Sequence, residues 1–457
     1  MILTMKQKFD KTDKLTYMTK TPVKRLVCTL ALPTMASMLV TAFYNLADSF
    51  FAGRIDNSSS AAIGIALPLM AIIQALGFFF GHGSGNCISR LLGSGRGQEA
   101  ERFAATGFFS AFFAGVLLSI FGLVFLDPFV RLFGATETGF ESARSYIRII
   151  LLGAPFMMSS LVLNNQLRFQ GNAFYAMIGI VSGAALNIAL DPLFMFACGM
   201  GVAGAALATV VSQCAGFALL IAGTFRGGTI RIRFKNFRPS LPILKNVAGG
   251  GLPSLCRQGL SAVASVLLNL AAGPFGDAAI AAMSIVSRIT MFASSALLGF
   301  GQGFQPVCGF NYGAARYDRV REAFFFCVKV AAIALLLISA LGFAFSRPLV
   351  TLFRNDSQVV EIGARALRMQ CLTFPLMAWL IPSNMLLQTI GKTFRASVVS
   401  LSRQGLCFVP FILALPPFYG ILGIQLSQPV ADVLSFLIAI PLTLTVLREL
   451  KNKIASC

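Results

Sequence analysis

Long apolar stretches, separated by short polar segments, run from about residue 26 to residue 447. Each stretch has roughly 20 residues or more, the length of helix that crosses about 30 Å of hydrocarbon. The pattern predicts an all-α integral membrane protein with twelve transmembrane helices. The stretches lie at about 26–53, 60–84, 103–126, 140–167, 173–198, 202–224, 247–273, 278–304, 322–345, 360–388, 394–418 and 421–447.

Composition agrees with this pattern, since 56% of the residues are hydrophobic and only 12% are charged. Such a chain is too apolar for a soluble globular protein. The net charge of +20 comes from 37 Lys and Arg against 17 Asp and Glu. These basic residues cluster in loops, which argues for membrane orientation rather than nucleic-acid binding. Because basic loops stay cytoplasmic, their distribution predicts that both termini are cytoplasmic.

The two halves of the chain repeat each other. A basic segment, 226–246, separates a predicted N-terminal six-helix lobe, 1–225, from a C-terminal one, 247–457. Since six is even, both copies enter the membrane from the same face, which predicts pseudo-two-fold symmetry along the membrane normal with a cavity between the lobes. A shift of about 220 residues superposes Pro22 on Pro242, Pro33 on Pro253, Pro128 on Pro348, Pro155 on Pro375, Gly53 on Gly273, Gly81 on Gly301, Gly83 on Gly303, Gly93 on Gly313, Gly122 on Gly342 and Gly171 on Gly391.

Acidic residues inside the apolar stretches are few, and such residues are usually functional. Asp48 and Asp191 both fall in the outer half of the membrane, so they can face one another. Asn187 lies one turn before Asp191, Thr209 has a comparable depth in the next helix, and Tyr44 lies one turn from Asp48. Two nearby carboxylates at low dielectric resist ionising together and can carry a proton. The same oxygens can instead hold a sodium ion, or form a structural hydrogen-bond network, and the residues alone leave these interpretations open.

The C-terminal half shows a different set of charges. Arg288 and Asp432 have equal depth from the outer face, which predicts a structural ion pair. Arg257 and Arg403 lie nearer the cytoplasmic side, where they can snorkel or bind acidic groups of a substrate. In the first helix, Pro33 lacks an amide donor and predicts a bend.

Residues suited to enzyme chemistry are scarce. The chain has a single histidine, His82, and its ten cysteines form no CxxC pair. No catalytic residues or resident cofactor are therefore predicted, and an embedded enzyme is disfavoured. The glycine-rich segments 81–85 and 93–97 lack a GxxxxGK motif, so close helix packing explains them better than phosphate binding.

Several segments resemble the multidrug and toxic compound extrusion (MATE) transporters, in particular their bacterial DinF-like and MepA-like branch. The Asn-x-x-x-Asp-Pro segment is the most specific of them, and the resemblance spans the whole chain. The segments are Leu32-Pro33-Thr34-Met35, Asn45-Leu46-Ala47-Asp48-Ser49-Phe50-Phe51-Ala52-Gly53, Ile88-Ser89-Arg90-Leu91-Leu92-Gly93 and Leu186-Asn187-Ile188-Ala189-Leu190-Asp191-Pro192.

This resemblance implies an exporter in a bacterial plasma membrane that expels small organic cations or amphipathic drugs in exchange for protons or sodium, by alternating access. It assigns the coupling ion to Asp48, Asn187, Asp191 and Thr209, and the bend to Pro33. Candidates for the wall of the substrate cavity are Tyr44, Asn45 and Gln302. Beyond the ion the resemblance implies no cofactor, and we expect a monomer in the lipid bilayer.

The main alternative is a lipid-linked saccharide flippase of the same superfamily. A further alternative is a passive channel, which would conduct ions without gradient-driven uptake.

Overall fold

A computed structural model describes residues 11–52, 57–135, 139–226 and 230–455, and within these ranges every regular element is a helix. The first half contains α1 Lys11–Lys20, α2 Val23–Ala52, α3 Asn57–Gly93, α4 Gly97–Val124, α5 Leu126–Leu132, α6 Phe140–Phe169, α7 Ala173–Pro192 and α8 Gly201–Arg226. The second half contains α9 Leu241–Ala272, α10 Asp277–Gly313, α11 Tyr317–Ala344, α12 Ser346–Phe353, α13 Ser357–Thr373, α14 Met377–Thr389, α15 Thr393–Leu401, α16 Phe408–Tyr419 and α17 Ile421–Ala455.

Twelve helical segments among the described residues are long and apolar enough to cross a membrane, which confirms the predicted fold class and number of spans. Helices extend further than the apolar stretches from which they were predicted. The eighth span, for example, is a helix from Asp277 to Gly313, because backbone hydrogen bonding continues where the side chains become more polar.

The short helix α1 lies across one end of the bundle and contacts both halves of the chain. Its Lys14 Nζ donates hydrogen bonds to the Gly171 carbonyl at 2.9 Å and to Asn172 Oδ1 at 2.8 Å. On the other side, Asn311 Nδ2 donates to the Met18 carbonyl at 3.2 Å. We call this end of the bundle the α1 face. Burial lowers the pKa of Lys14 from 10.5 to about 8.

Equivalent positions in the two halves make equivalent contacts. Asn164 Nδ2 donates to the Ala176 carbonyl at 2.8 Å, and Asn384 Nδ2 donates to the Ala396 carbonyl at 2.9 Å. Both bonds brace a tight turn on the α1 face. Gly171 and Gly391 hold the left-handed conformation of that turn, with φ of 76° and 86°.

A reciprocal contact joins the two halves. A Cβ atom on Gly93 would lie closer than 3.0 Å to the Phe310 carbonyl oxygen, and one on Gly313 would lie closer than 3.0 Å to the Arg90 carbonyl oxygen. Such a contact, in which each partner repeats the other's role, is expected at a two-fold axis. It places the pseudo-two-fold axis between α3 and α10.

Further close contacts flank the axis, where α3 packs on α9 and α2 packs on α10. Gly83 faces the Val247 carbonyl, Gly251 faces the Phe79 carbonyl, and Gly303 faces the backbone of Ala31. Small residues thus let the backbones meet. Most of these contacts lie in the half of the bundle nearest the α1 face. The contact between the rings of Phe43 and Phe292, 5.1 Å apart, continues them past the midpoints of α2 and α10. We call this set of contacts the interlobe seam.

Candidate functional site

Three of the predicted coupling residues come together inside the N-terminal lobe. Asn187 Nδ2 donates to Asp191 Oδ1 at 3.3 Å and faces Thr209 Oγ1 at 3.5 Å. All three side chains are buried, with exposures of 2%, 1% and 2% for Asn187, Asp191 and Thr209. Asn187 and Asp191 share one face of α7, and Thr209 comes from the neighbouring α8. We call these three residues the N-lobe polar site.

The backbone around Asp191 departs from regular α-helix. Pro192 ends α7, and residues Leu193–Ala197 form a π-helical turn before the chain reverses into α8. Since proline lacks an amide donor, the hydrogen-bond ladder is interrupted beside the carboxylate. Single π turns are frequent at functional sites.

The oxygens of the N-lobe polar site suit a proton or a hard cation. Asp191 supplies a carboxylate, Thr209 a hydroxyl, and Asn187 Oδ1 is a buried acceptor without a hydrogen-bond partner among the described residues. Carboxylate, amide and hydroxyl oxygens are the ligands of hard cations. Ser212, one turn after Thr209, also has a buried hydroxyl that finds no partner within the described ranges; sequence reasoning missed it because serine is common in apolar helices.

The other predicted site residues belong to α2, the helix of the first span. Asp48 and Asn45 lie on α2, but their side chains are outside the described residues. The α2 backbone packs against α7, the helix of Asp191. The side chain of Tyr44 is half-buried. The meeting of Asp48 with Asp191 therefore stays a prediction.

Pro33 lies inside α2, which continues as a helix on both sides of it. The adjacent Thr34 hydroxyl donates to the Gly299 carbonyl of α10 at 2.6 Å. The residue at the predicted bend is thus next to a contact between the lobes. The bend itself stays a prediction.

The predicted ion pair between Arg288 and Asp432 is wrong. Asp432 is 2% exposed, and Arg403 Nε donates to its Oδ1 at 2.8 Å, whereas Arg288 is exposed. Gln428 Nε2 also donates to Asp432 Oδ1, at 2.9 Å. The depth of a residue along a helix does not determine which way its side chain points around the helix axis. The residue that points at the carboxylate is Arg403, in the π turn Ser402–Leu406 of the eleventh span.

A small cavity of about 40 Å³ lies beside this ion pair. Its polar lining includes Gln370, Gln425 and Gln428. The volume has room for water, and the amides supply hydrogen-bond partners. The C-terminal lobe therefore has a polar interior of its own, built mainly on neutral amides around a neutralised acid.

A second buried polar group occupies the interlobe seam, and the sequence did not predict it. Arg168, 2% exposed, contacts His82 Nε2 at 3.0 Å through Nη2, and its Nη1 donates to Gln302 Oε1. On the far side of the ring, His82 Nδ1 lies 2.9 Å from Ser254 Oγ, which also accepts from Gln388 Nε2 at 2.7 Å. We call these five residues the axial cluster.

The axial cluster changes the interpretation of Gln302. This residue is predicted to line a substrate cavity, but here it is 4% exposed and bound to Arg168. The repeat relates His82 to Gln302 and Arg168 to Gln388, whereas Ser254 is related to Thr34, which lies outside the cluster. A search of the shifted sequence for paired polar positions shows these residues, but it does not show that they contact one another.

Comparison with known proteins agrees with this architecture. The MatE family profile matches residues 33–193 and 253–413, two segments with the spacing of the internal repeat. The chain is 26% identical over 428 residues to the multidrug export protein MepA of Staphylococcus haemolyticus, covering 92% of this chain and 93% of that protein. For MepA of Staphylococcus aureus strain NCTC 8325, the identity is 26% over 431 residues, covering 94% and 95%.

Among solved structures, the fold is similar to that of a multidrug resistance MATE family transporter of the MOP superfamily in its outward-facing conformation. The TM-score is 0.89 at 27% identity, covering 96% of this chain and 98% of the other. The twelve spans, the repeated six-helix unit and the family match over both halves lead to one conclusion. The chain belongs to the MATE family of multi-pass membrane transporters.

Proposed function

We propose that this protein is a secondary active multidrug efflux antiporter, which exports cationic or amphipathic compounds in exchange for protons or sodium. The observation that carries the proposal is the N-lobe polar site, where a carboxylate, an amide and a hydroxyl are buried between two adjacent membrane spans. Buried intramembrane carboxylates usually mark ion or proton pathways. Relatives named as multidrug export proteins over most of the chain support the substrate class.

The interlobe seam supports transport by alternating access. The α1 face carries basic loops that include Arg96, Arg238 and Arg316, which supports a cytoplasmic assignment for it. Most contacts of the interlobe seam lie in the half of the bundle nearest that face, which supports a path between the lobes that opens to the outside. An external cation that binds at Asp191 would weaken drug binding and rearrange α2 near Pro33.

The cytoplasmic assignment of the α1 face is part of the cellular setting that we propose. We propose that the protein works in a bacterial plasma membrane with both termini cytoplasmic, as a monomer surrounded by lipid. Its working units are the lobes 1–225 and 247–457, joined by the basic linker 226–246. Proton or sodium is the coupling ion, with Asp48 as the second carboxylate.

Transport of a fluorescent organic cation into proteoliposomes tests the proposal, with proton and sodium gradients imposed in separate arms. We expect one gradient to drive uptake, and Asp191→Asn to lower that uptake at least about tenfold, because the amide cannot exchange the driving charge. Asp432→Asn is the matched control, since it also removes a buried carboxylate but keeps an acceptor for Arg403. Full gradient-driven uptake by Asp191→Asn would refute the coupling role.

The lipid-linked saccharide flippase is the second candidate. Arg168 is a buried cation near the axis, and Arg257, half-buried on α9, interacts electrostatically with it. Two such cations suit an anionic substrate. If the protein flips a fluorescent anionic lipid in vesicles and does not move the organic cation, the flippase replaces the antiporter.

A further inference from the structure

Four of the five residues of the axial cluster form two pairs related by the repeat, but their charges are not symmetric. His82 and Arg168 come from the N-terminal lobe, and the equivalent positions in the C-terminal lobe carry the neutral amides of Gln302 and Gln388. The contact between Arg168 and Gln302 crosses from α6 to α10, and the one between His82 and Ser254 crosses from α3 to α9. The cluster therefore joins the two lobes, with the titratable group on one side only.

Hydrogen-bond chemistry fixes the protonation state of His82 in this arrangement. The guanidinium of Arg168 has only donors, so the 3.0 Å contact with Nη2 requires Nε2 of His82 to accept. The single proton of the ring is then on Nδ1, which donates to Ser254 Oγ at 2.9 Å. His82 and Ser254 are each 1% exposed, so water does not substitute for either contact. The closed seam requires a neutral histidine.

A second proton on His82 would break this arrangement. It would place an N–H against the Arg168 guanidinium and remove one of that guanidinium's three side-chain acceptors, the others being Gln302 Oε1 and Asn165 Oδ1. The charged groups that interact electrostatically with the ring are Arg168 from α6 and Arg257 from α9. The other packed elements contribute neutral groups: Gln302 from α10, Gln388 from α14, and the rings of Phe78 and Phe169. Among the described residues, no carboxylate faces the ring to offset the added charge.

We propose that His82 is a proton-binding site reached from the α1 face, and that its protonation opens the interlobe seam. When the lobes part at that face, His82 loses Ser254 and becomes accessible to the adjoining solution. A proton that binds only the open form must stabilise the open form by linkage. This site is distinct from the N-lobe polar site, which lies on α7 and α8. It makes the conformation depend on the pH at the α1 face.

Distance measurements between spin labels on the detergent-solubilised full chain test this inference without drug or ion gradient. The labels go on Gln98→Cys and Asp318→Cys, an exposed pair related by the repeat on the α1 face, in a variant without native cysteines. Lowering the pH from about 8 to about 5 should shift the population from the short to the long distance, changing their ratio about tenfold or more. His82→Gln should hold the short distance throughout, because its amide oxygen still accepts from Arg168 but does not titrate.

Two further variants distinguish protonation of His82 from titration at the N-lobe polar site. Ser254→Ala removes the cross-lobe acceptor and should favour the long distance at every pH. Asp191→Asn should leave the pH response intact, so the proposed coupling role of Asp191 can fail without affecting this result. The inference is wrong if His82→Gln shows the same pH response as the parent, or if the parent shows none.

Discussion

The two carboxylates buried in described spans differ in what surrounds them. Asp432 is neutralised by Arg403 and bound by Gln428, whereas Asp191 accepts a hydrogen bond from the neutral amide of Asn187. A paired charge is costly to separate and contributes to structure. A carboxylate beside neutral oxygens can exchange a proton or a cation. This difference at the residue scale supports a structural role for Asp432 and agrees with the proposed coupling role of Asp191.

Removing one partner of the C-terminal ion pair should destabilise the protein. Arg403→Gln leaves Asp432 buried without its counter-charge, at a cost of about 3 kcal/mol, the low end for broken buried pairs because Arg403 is 25% exposed. We expect a lower apparent Tm in detergent, measured by a thermal unfolding assay. Arg288→Gln is the control and should leave Tm unchanged. If Arg288→Gln lowers Tm as much as Arg403→Gln does, the assignment of the pair is wrong.

Part of the candidate site could be predicted from residue chemistry, and part could not. The position of each residue along its helix was enough to predict that Asn187, Asp191 and Thr209 lie close together. Residues one turn apart share a face of a helix, and adjacent antiparallel helices have residues at the same depth in the membrane. The same reasoning chose Arg288 over Arg403, since two helices that are distant in sequence can meet at any rotation. Packing decides that rotation, and a local pattern does not contain it.

Helices approach each other closely in this molecule at positions occupied by glycine, which has no side chain. Gly93 on α3 and Gly313 on α10 let each backbone reach a carbonyl of the other. Because the two halves of the sequence repeat each other, these two glycines could be recognised as equivalent positions. Which helix each one would face was not predictable, because a shifted alignment relates equivalent positions and does not show which positions are in contact.

Adding a methyl group at the axis should prevent full closure of the seam. Gly93→Ala puts a Cβ closer than 3.0 Å to the Phe310 carbonyl, a rigid backbone atom that cannot easily move away. We expect the spin-label distance between positions 98 and 318 to lengthen at neutral pH. Gly64→Ala, in the same helix, meets nothing within 4 Å and serves as the control. An unchanged distance in Gly93→Ala would contradict the proposed closure.

The helix α1 should bind more tightly to the bundle as the pH rises. Docked Lys14 has a pKa of about 8, and an undocked lysine has one near 10.5. Below about pH 8 both states hold the proton and the full cost of burying the charge opposes docking. Between about pH 8 and 10.5 only the undocked state keeps it, so docking strengthens and then levels off.

Electron paramagnetic resonance of a label at the exposed Thr16→Cys, in a variant without native cysteines, measures this docking. Label mobility should fall over the interval between the two pKa values. Lys14→Met removes the titrating group and should abolish the change. A mobility that rises with pH in the parent would have the wrong sign for a buried lysine.

At the scale of the whole molecule, the fold is a duplicated six-helix unit whose halves meet at the interlobe seam. Apolar length and the repeat were sufficient to predict twelve spans and two lobes, because both depend on bilayer thickness and on duplication. The axial cluster was not predicted, because its five residues come from five helices spread over both halves. Only the folded arrangement brings them to one point.

The orientation of the protein in the membrane can be tested by chemical labelling of single cysteines. If the α1 face is cytoplasmic, a single cysteine at Gln98 should react with an impermeant maleimide only after cells are permeabilised. One at Arg354, an exposed position between α12 and α13, should react in intact cells. Equal labelling of both positions in intact cells would exclude the orientation on which the direction of export depends.

The contact at the axis also bears on how such a chain arose. Position 93 meets 310 as 313 meets 90, so this is one contact made twice. A six-helix ancestor that paired with a copy of itself would have needed a single glycine to form it. Fusion of two such copies would carry the same contact into one chain. Each half would then be free to gain its own ionisable groups, which is consistent with the histidine and arginine on one side and the glutamines on the other.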